Sequence, residues 1–166
     1  MISAIGIRVS GALICSCIAV YTDIRTGKVP NRLILTGLSG AFLLRAAFLG
    51  SAGCTMKCGL GALRRLILTE AGSFAAGVLL PALFPGVLLP AHMIGGGDVK
   101  LFMVIGAFLG GKAVFRITIV SFFMGSLQSV WLLCRQKNAG IRLKPGEMRI
   151  HFTISILAAL IWNYLN

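Results

Sequence analysis

Residues 2–22 read ISAIGIRVSGALICSCIAVYT. One charge, Arg8, interrupts this run. A helix that crosses the hydrocarbon core of a bilayer needs about 20 residues, so the run is long enough to span. It lacks a basic start before a short apolar core and an A-x-A site, so it reads as a retained helix, not a cleaved signal. A polar stretch closes it: Asp23-Ile24-Arg25-Thr26-Gly27-Lys28-Val29-Pro30-Asn31-Arg32. Gly27 and Pro30 break the helix, and Asn31 is placed to cap the next one.

The same alternation continues along the chain. A second apolar run goes from Leu33 to about Gly50, and Ser51 to Arg65 read as a loop with Lys57, Arg64 and Arg65. A third run extends from Leu66 to about Pro90, and Pro81 and Pro85 are expected to kink it or end it early, since each lacks an N–H donor. After Ala91-His92-Met93-Ile94-Gly95-Gly96-Gly97-Asp98-Val99-Lys100, a fourth run starts at Leu101 and reaches Gly110–Gly111. A fifth spans Ala113 to Cys134, and a basic loop follows with Arg135, Lys137, Arg142, Lys144 and Arg149. The last run, Ile150 to Leu165, carries the interfacial residues Trp162 and Tyr164. The fold class expected is all-α: a polytopic membrane protein of about six transmembrane helices, with residues 1–166 forming one membrane-embedded domain.

Composition agrees. The 166 residues are 57% hydrophobic and 12% charged, against roughly 25% charged in an average soluble domain. A soluble domain of ~150 residues buries only ~70% of its chain's surface, too little to hide this much apolar area. The net charge of +12 comes from basic residues clustered between apolar runs, with no aromatic-basic platform. That favours a lipid bilayer as partner and no nucleic acid. Arg25, Lys28, Arg32, Lys100, Arg135, Lys137, Arg142, Lys144 and Arg149 fall on one side; Arg8, Lys57, Arg64, Arg65, Lys112 and Arg116 fall on the other. The larger basic group marks the first side as cytoplasmic.

The acidic residues are Asp23, Glu70, Asp98 and Glu147. An ionisable group in or near a bilayer is costly and raises a functional hypothesis. Asp23 ends the first helix and Asp98 begins the fourth, and the second and third helices run out and back, so both carboxylates come to one membrane face. From Asp98 to Gly111 is about 21 Å of helix at 1.5 Å per residue, less than the ~30 Å hydrocarbon core. If Gly110–Gly111 marks the far surface, Asp98 lies below the near one. Gly95, Gly96 and Gly97 then read as irregular backbone packed in protein or lining a watery cavity. Two carboxylates facing one cavity can share a proton, one activating water and the other polarising a peptide carbonyl, and the pair titrates as a unit. The helix start favours the anion at Asp98 through the helix dipole. Taken alone, the two read more readily as structural, Asp98 as an N-cap and Asp23 as a charged helix end, since capping is the commonest use of Asp at helix starts. A small transporter or channel, binding a cation or proton at buried aspartates near the midplane, is the alternative function class.

Two motifs add a family resemblance. Gly95-Gly96-Gly97-Asp98 fits the GxGD pattern of intramembrane aspartyl proteases. The longer Gly95-Gly96-Gly97-Asp98-Val99-Lys100-Leu101 resembles the second active-site motif of type IV prepilin peptidases. Asp23 followed by Pro30-Asn31 resembles the first. The resemblance implies that Asp23 and Asp98 are the catalytic pair. It also implies that Gly95, Gly96 and Gly97 form the active-site loop, and that a pilin-like precursor loses a short basic leader on the cytoplasmic side of the inner membrane, usually after a Gly. No metal or other cofactor is expected. Larger members carry a soluble insert with paired CxxC motifs linked to N-methylation. The cysteines here, Cys15, Cys17, Cys54, Cys58 and Cys134, form no CxxC pair, so no methyltransferase domain or activity is expected. The short form resembles the peptidases of tight-adherence (Flp-type) pili.

Other residues carry less. Lys100 lies two positions after Asp98 and should point to a different helix face. It is a candidate contact for lipid phosphate or substrate. His92 and His151 read as interfacial. Glu70 is expected to pair with Arg64 or Arg65.

Overall fold

A computed structural model describes residues 2–27, 29–55, 60–88, 96–139 and 152–165. They form α1 (Ile2–Thr26), α2 (Asn31–Thr55), α3 (Leu60–Leu88), α4 (Gly96–Leu109), α5 (Gly111–Ala139) and α6 (Phe152–Leu165). Every regular element among them is a helix. That suits a chain in lipid, where backbone polar groups need partners within their own segment. Four stretches are long and apolar enough to cross a membrane: Gly6–Thr26, Asn31–Ser51, Gly61–Leu83 and Gly111–Leu132. The protein is a multi-pass membrane protein. α4 and α6 have 14 residues each, which is about 21 Å of helix. The bundle thus combines four full-length spans with two short helices.

Several boundaries differ from expectation. α2 runs on to Thr55 and α3 already starts at Leu60, so Arg64 and Arg65 are helical and not in a loop. α5 continues to Ala139 and takes in the first part of the expected basic loop. α3 passes through both Pro81 and Pro85 without ending. Pro81 has no N–H for the carbonyl of Gly77, four residues back, and that oxygen sits against the backbone of Gly106 on α4. Neighbouring helices commonly re-satisfy backbone groups that proline frees in a membrane helix.

α4 is the hub. Leu101, Phe102, Val104, Ile105, Ala107 and Phe108 are all buried, and α4 packs on α1, α2, α3 and α5. The other helices turn large apolar side chains outward, such as Leu35, Phe42, Leu68, Phe123 and Trp131, which suits lipid as the surrounding medium. Its closest approach is to α3. The carbonyl oxygen of Gly77 occupies the place a Gly106 side chain would take, and that of Gly106 the place of one at Gly77. Only glycine allows two helix backbones this near, where dispersion and Cα–H···O contacts replace the absent hydrophobic drive.

The far end of α4 is sealed by polar groups. Gly110 adopts φ 90° and ends the helix, and its N–H bonds the Gly106 carbonyl at 2.7 Å. Arg45 on α2, 5% exposed, donates from Nε to the Ala107 carbonyl at 2.8 Å and from Nη2 to that of Phe108 at 3.4 Å. Helix ends leave four carbonyls without intrahelical partners, and Arg45 supplies donors to two of them here. Its Nη1 also donates to Glu70 Oε2 at 2.8 Å, and Arg8 Nη1 lies 3.3 Å from the same oxygen. Glu70 therefore pairs with Arg8 and Arg45, not with its neighbours Arg64 and Arg65, which are exposed. On a helix, α3 turns residue 70 inward, towards α1 and α2.

Gly106→Ala should destabilise the protein by about 3 kcal/mol, the upper end of overpacking costs, because the methyl group meets a backbone carbonyl that no rotamer change can move. Gly72→Ala, where a side chain meets open space, should stay within about 0.5 kcal/mol of the parent. Denaturation in detergent micelles compares the two, and equal losses would contradict the close approach.

Candidate active site

α1 and α2 are joined by a turn that faces the start of α4. Gly27 takes φ 64° and its N–H bonds the Asp23 carbonyl at 2.7 Å, which stops α1 one turn after Asp23. The chain then passes through Val29 and Pro30 into α2, with the Leu33 N–H bonded to the Pro30 carbonyl at 3.1 Å. Val29 stands over Gly97, where an added side chain would meet it at van der Waals distance, and Lys100 bonds Asn31. The two sequence motifs, far apart in the chain, are thus in contact.

Between them lies a cavity of about 500 Å³, lined by Asp23, Gly27, Val29, Pro30, Asn31, Gly97, Asp98 and Lys100. Asp23 and Asp98 both line it, as the alternation of helices required. The bundle places Asp23 at the end of α1 and Asp98 at the third position of α4, on one side of the molecule and away from the Arg8–Glu70–Arg45 cluster. Asp23 Oδ2 accepts a hydrogen bond from Thr153 Oγ1 on α6 at 2.8 Å. Lys100 Nζ donates to Asn31 Oδ1 at 2.9 Å and so ties the second motif to the first.

Several expectations change. Gly96 and Gly97 form the first turn of α4, not an irregular loop, and neither has positive φ. A side chain at Gly96 would meet open space, so what glycine leaves there is room beside the carboxylate. Gly95 and His92 lie outside the described residues, as do His151 and residues 140–149. Lys100 lines the same cavity as Asp98 although a regular helix turns the two apart; its long side chain reaches across to Asn31. Thr153 and Arg45 were missed. Arg45 carries a signal in the sequence, a lone charge within an apolar run. Thr153 carries none, being one hydroxyl among many near helix ends. Among the described residues no group of three His, Cys, Asp or Glu side chains is arranged to hold a metal ion.

Asp98 stands in the first turn of α4, outside the four full-length spans, and is half-buried. Burial, and secondarily the charge of Asp23, push its carboxyl up from 3.8 to about 6. The helix dipole favours the anion by only about 0.3–1 kcal/mol, less than one pKa unit, and is outweighed. Asp98 therefore keeps its proton to higher pH than an ordinary aspartate, the reverse of what its position at a helix start suggests. At pH near 6 the site holds one carboxylic acid beside a second carboxyl group, an arrangement able to give and take protons around one substrate bond.

A family model described as the type IV leader peptidase family matches residues 11–130, which covers α1 from residue 11 through most of α5. No curated protein and no solved structure matches the chain.

A carboxyl raised in the folded state binds its proton more tightly there than in the unfolded chain. The stability this contributes is complete at pH below about 4 and is lost as pH rises through about 6. Asp98→Asn has no such proton to lose. It should melt above the parent at neutral pH, and the difference should shrink towards pH 4; thermal unfolding across that range in detergent reads it, and an offset independent of pH would refute the assignment.

Proposed function

Since the chain belongs to the type IV leader peptidase family, we propose that it is an aspartic endopeptidase that removes the basic leader of pilin-type precursors, with Asp23 and Asp98 as its catalytic pair. The observation that carries this reading is the convergence of the two carboxylates, from separate helices and separate motifs, on one cavity. Asp98 carries the proton and donates it in a hydrogen bond to the scissile carbonyl oxygen. Asp23 takes a proton from the attacking water, whose oxygen bonds to the carbonyl carbon. Collapse of the tetrahedral intermediate expels the amine, which leaves with a proton.

Both aspartates stand at one end of the bundle, which favours hydrolysis over transport. A transport site belongs near the midplane and opens in turn to both sides. The basic residues on the aspartate side support a cytoplasmic active site in an inner-membrane, multi-pass enzyme. The apolar stem of the precursor enters between helices while its leader stays in the cytosol, and Gly96 leaves room for its backbone beside Asp98. Lys100, held by Asn31 at the rim, is placed to meet substrate or a lipid phosphate. The proposed activity is peptide cleavage without methyl transfer, within one membrane-embedded domain, as in the short tight-adherence form.

Purified protein incubated with a pilin-type precursor should release a shortened product. Asp23→Asn and Asp98→Asn should each slow this by a factor of about 10²–10⁴ or more, the range of a positioned acid or base. The parent rate should fall as pH rises through about 6, where Asp98 loses its proton. Normal cleavage by either variant would end the two-carboxylate mechanism.

A further inference from the structure

Asp23 and Asp98 stand on α1 and α4, yet a third helix reaches one of them. Thr153, 1% exposed in the first turn of α6, donates from Oγ1 to Asp23 Oδ2 at 2.8 Å. Among the described residues, other threonines donate along their own helix. Thr22 donates to Ile18, Thr26 to Thr22, Thr36 to Arg32 and Thr118 to Val114, each to a carbonyl one turn back. That is the ordinary use of a helical hydroxyl. Thr153 instead crosses between helices to a carboxylate.

The donor is also held still. Phe152 beside it packs edge-on against Phe102, one turn beyond Asp98 on α4, at 6.4 Å between ring centroids, and against Phe122 on α5 at 5.5 Å. Gly125 on α5 leaves the space its ring occupies. Two residues on, Ser155 bonds Gln128 of α5 at 3.0 Å. The first turn of α6 is thereby pinned to the helix that carries Asp98 and to its successor. Threonine, branched at Cβ, has few side-chain rotamers to lose in holding its hydroxyl on target.

We propose that Thr153 is a positioning residue for the leader-peptidase reaction. It fixes the orientation of the Asp23 carboxylate towards Asp98 and the attacking water, and it supplies a donor to the charged form. This rests on the reading of Asp23 and Asp98 as the catalytic pair. It extends the site to α6, beyond the residues 11–130 that match the family.

The test uses the full chain in detergent micelles and a synthetic precursor peptide with a basic leader and an apolar stem. Thr153→Val keeps the shape and removes the donor. It should lower kcat about 10–100-fold, the worth of a hydrogen bond to a charged group, with KM within about two-fold of the parent. Thr153→Ser restores the hydroxyl and should recover most of kcat. A parent-like kcat in Thr153→Val, a loss confined to KM, or equal impairment of the Val and Ser variants would each overturn the proposal. Thr153→Ala is carried alongside: if both Val and Ala lose the fold while Ser keeps it, the hydroxyl is a folding element and the proposal falls. Asp23→Asn and Asp98→Asn in the same assay separate the two readings. If these cleave normally, the catalytic pair is wrong; if they are inactive and Thr153→Val is unimpaired, only the role of Thr153 fails.

Discussion

The fourteen residues of α4 reach about 21 Å, less than the ~30 Å thickness of a bilayer's hydrocarbon core. This mismatch in α4 is the constraint on which the bundle turns. A helix too short to end in water at both faces must find partners for its terminal backbone groups inside the protein, because an unmet group in hydrocarbon costs several kcal/mol. Arg45 meets it at one end with two carbonyls bonded, and Gly110 with a third. The glycine contact with α3 lets the short helix sit deep enough for these bonds to form. At its other end Asp98 stands half-buried in the first turn, at the wall of the cavity.

Charge is tolerated at the sealed end because it is shared. Glu70 stands between Arg8 and Arg45, and the rings of Phe48 and Phe74 lie 4.9 Å and 5.8 Å from the two guanidinium carbons. Buried ion pairs are seldom a net source of stability, since desolvation offsets most of the attraction. Their use here is geometric. A planar guanidinium with five donors can hold two helix carbonyls and a carboxylate at once, which lysine cannot. The cluster ties α1, α2 and α3 to one another and to the end of α4.

The sequence made much of this legible, and the misses share a cause. Apolar runs bounded by polar turns reveal the helices because period and length are local properties. Asp23 and Asp98 are legible as neighbours because alternation of helices is a counting argument, independent of packing. What was lost depends on packing. Pro81 ends a helix in water but not beside Gly106, where the freed carbonyl has a neighbour. The partners of Glu70 are residues 62 and 25 positions away in the chain, invisible to a local reading that favoured Arg64 and Arg65. Asp98 reads as the easier anion when only its own helix is considered. Burial and a second carboxylate, both tertiary, reverse the sign. Lys100 reads as turned away from Asp98 on helical periodicity, yet a long side chain crosses to Asn31.

The placement of the polar groups also explains why the site is assembled from separate helices. Burial raises the Asp98 carboxyl, whereas Asp23 accepts a hydroxyl hydrogen bond at a helix end. One short segment could not give two adjacent acids such different surroundings. Here Asp98 takes its surroundings from the most buried helix, and Asp23 from a helix end where the chain turns at Gly27 and where α6 brings a hydroxyl. The difference between the surroundings of the two acids is thus a property of the fold.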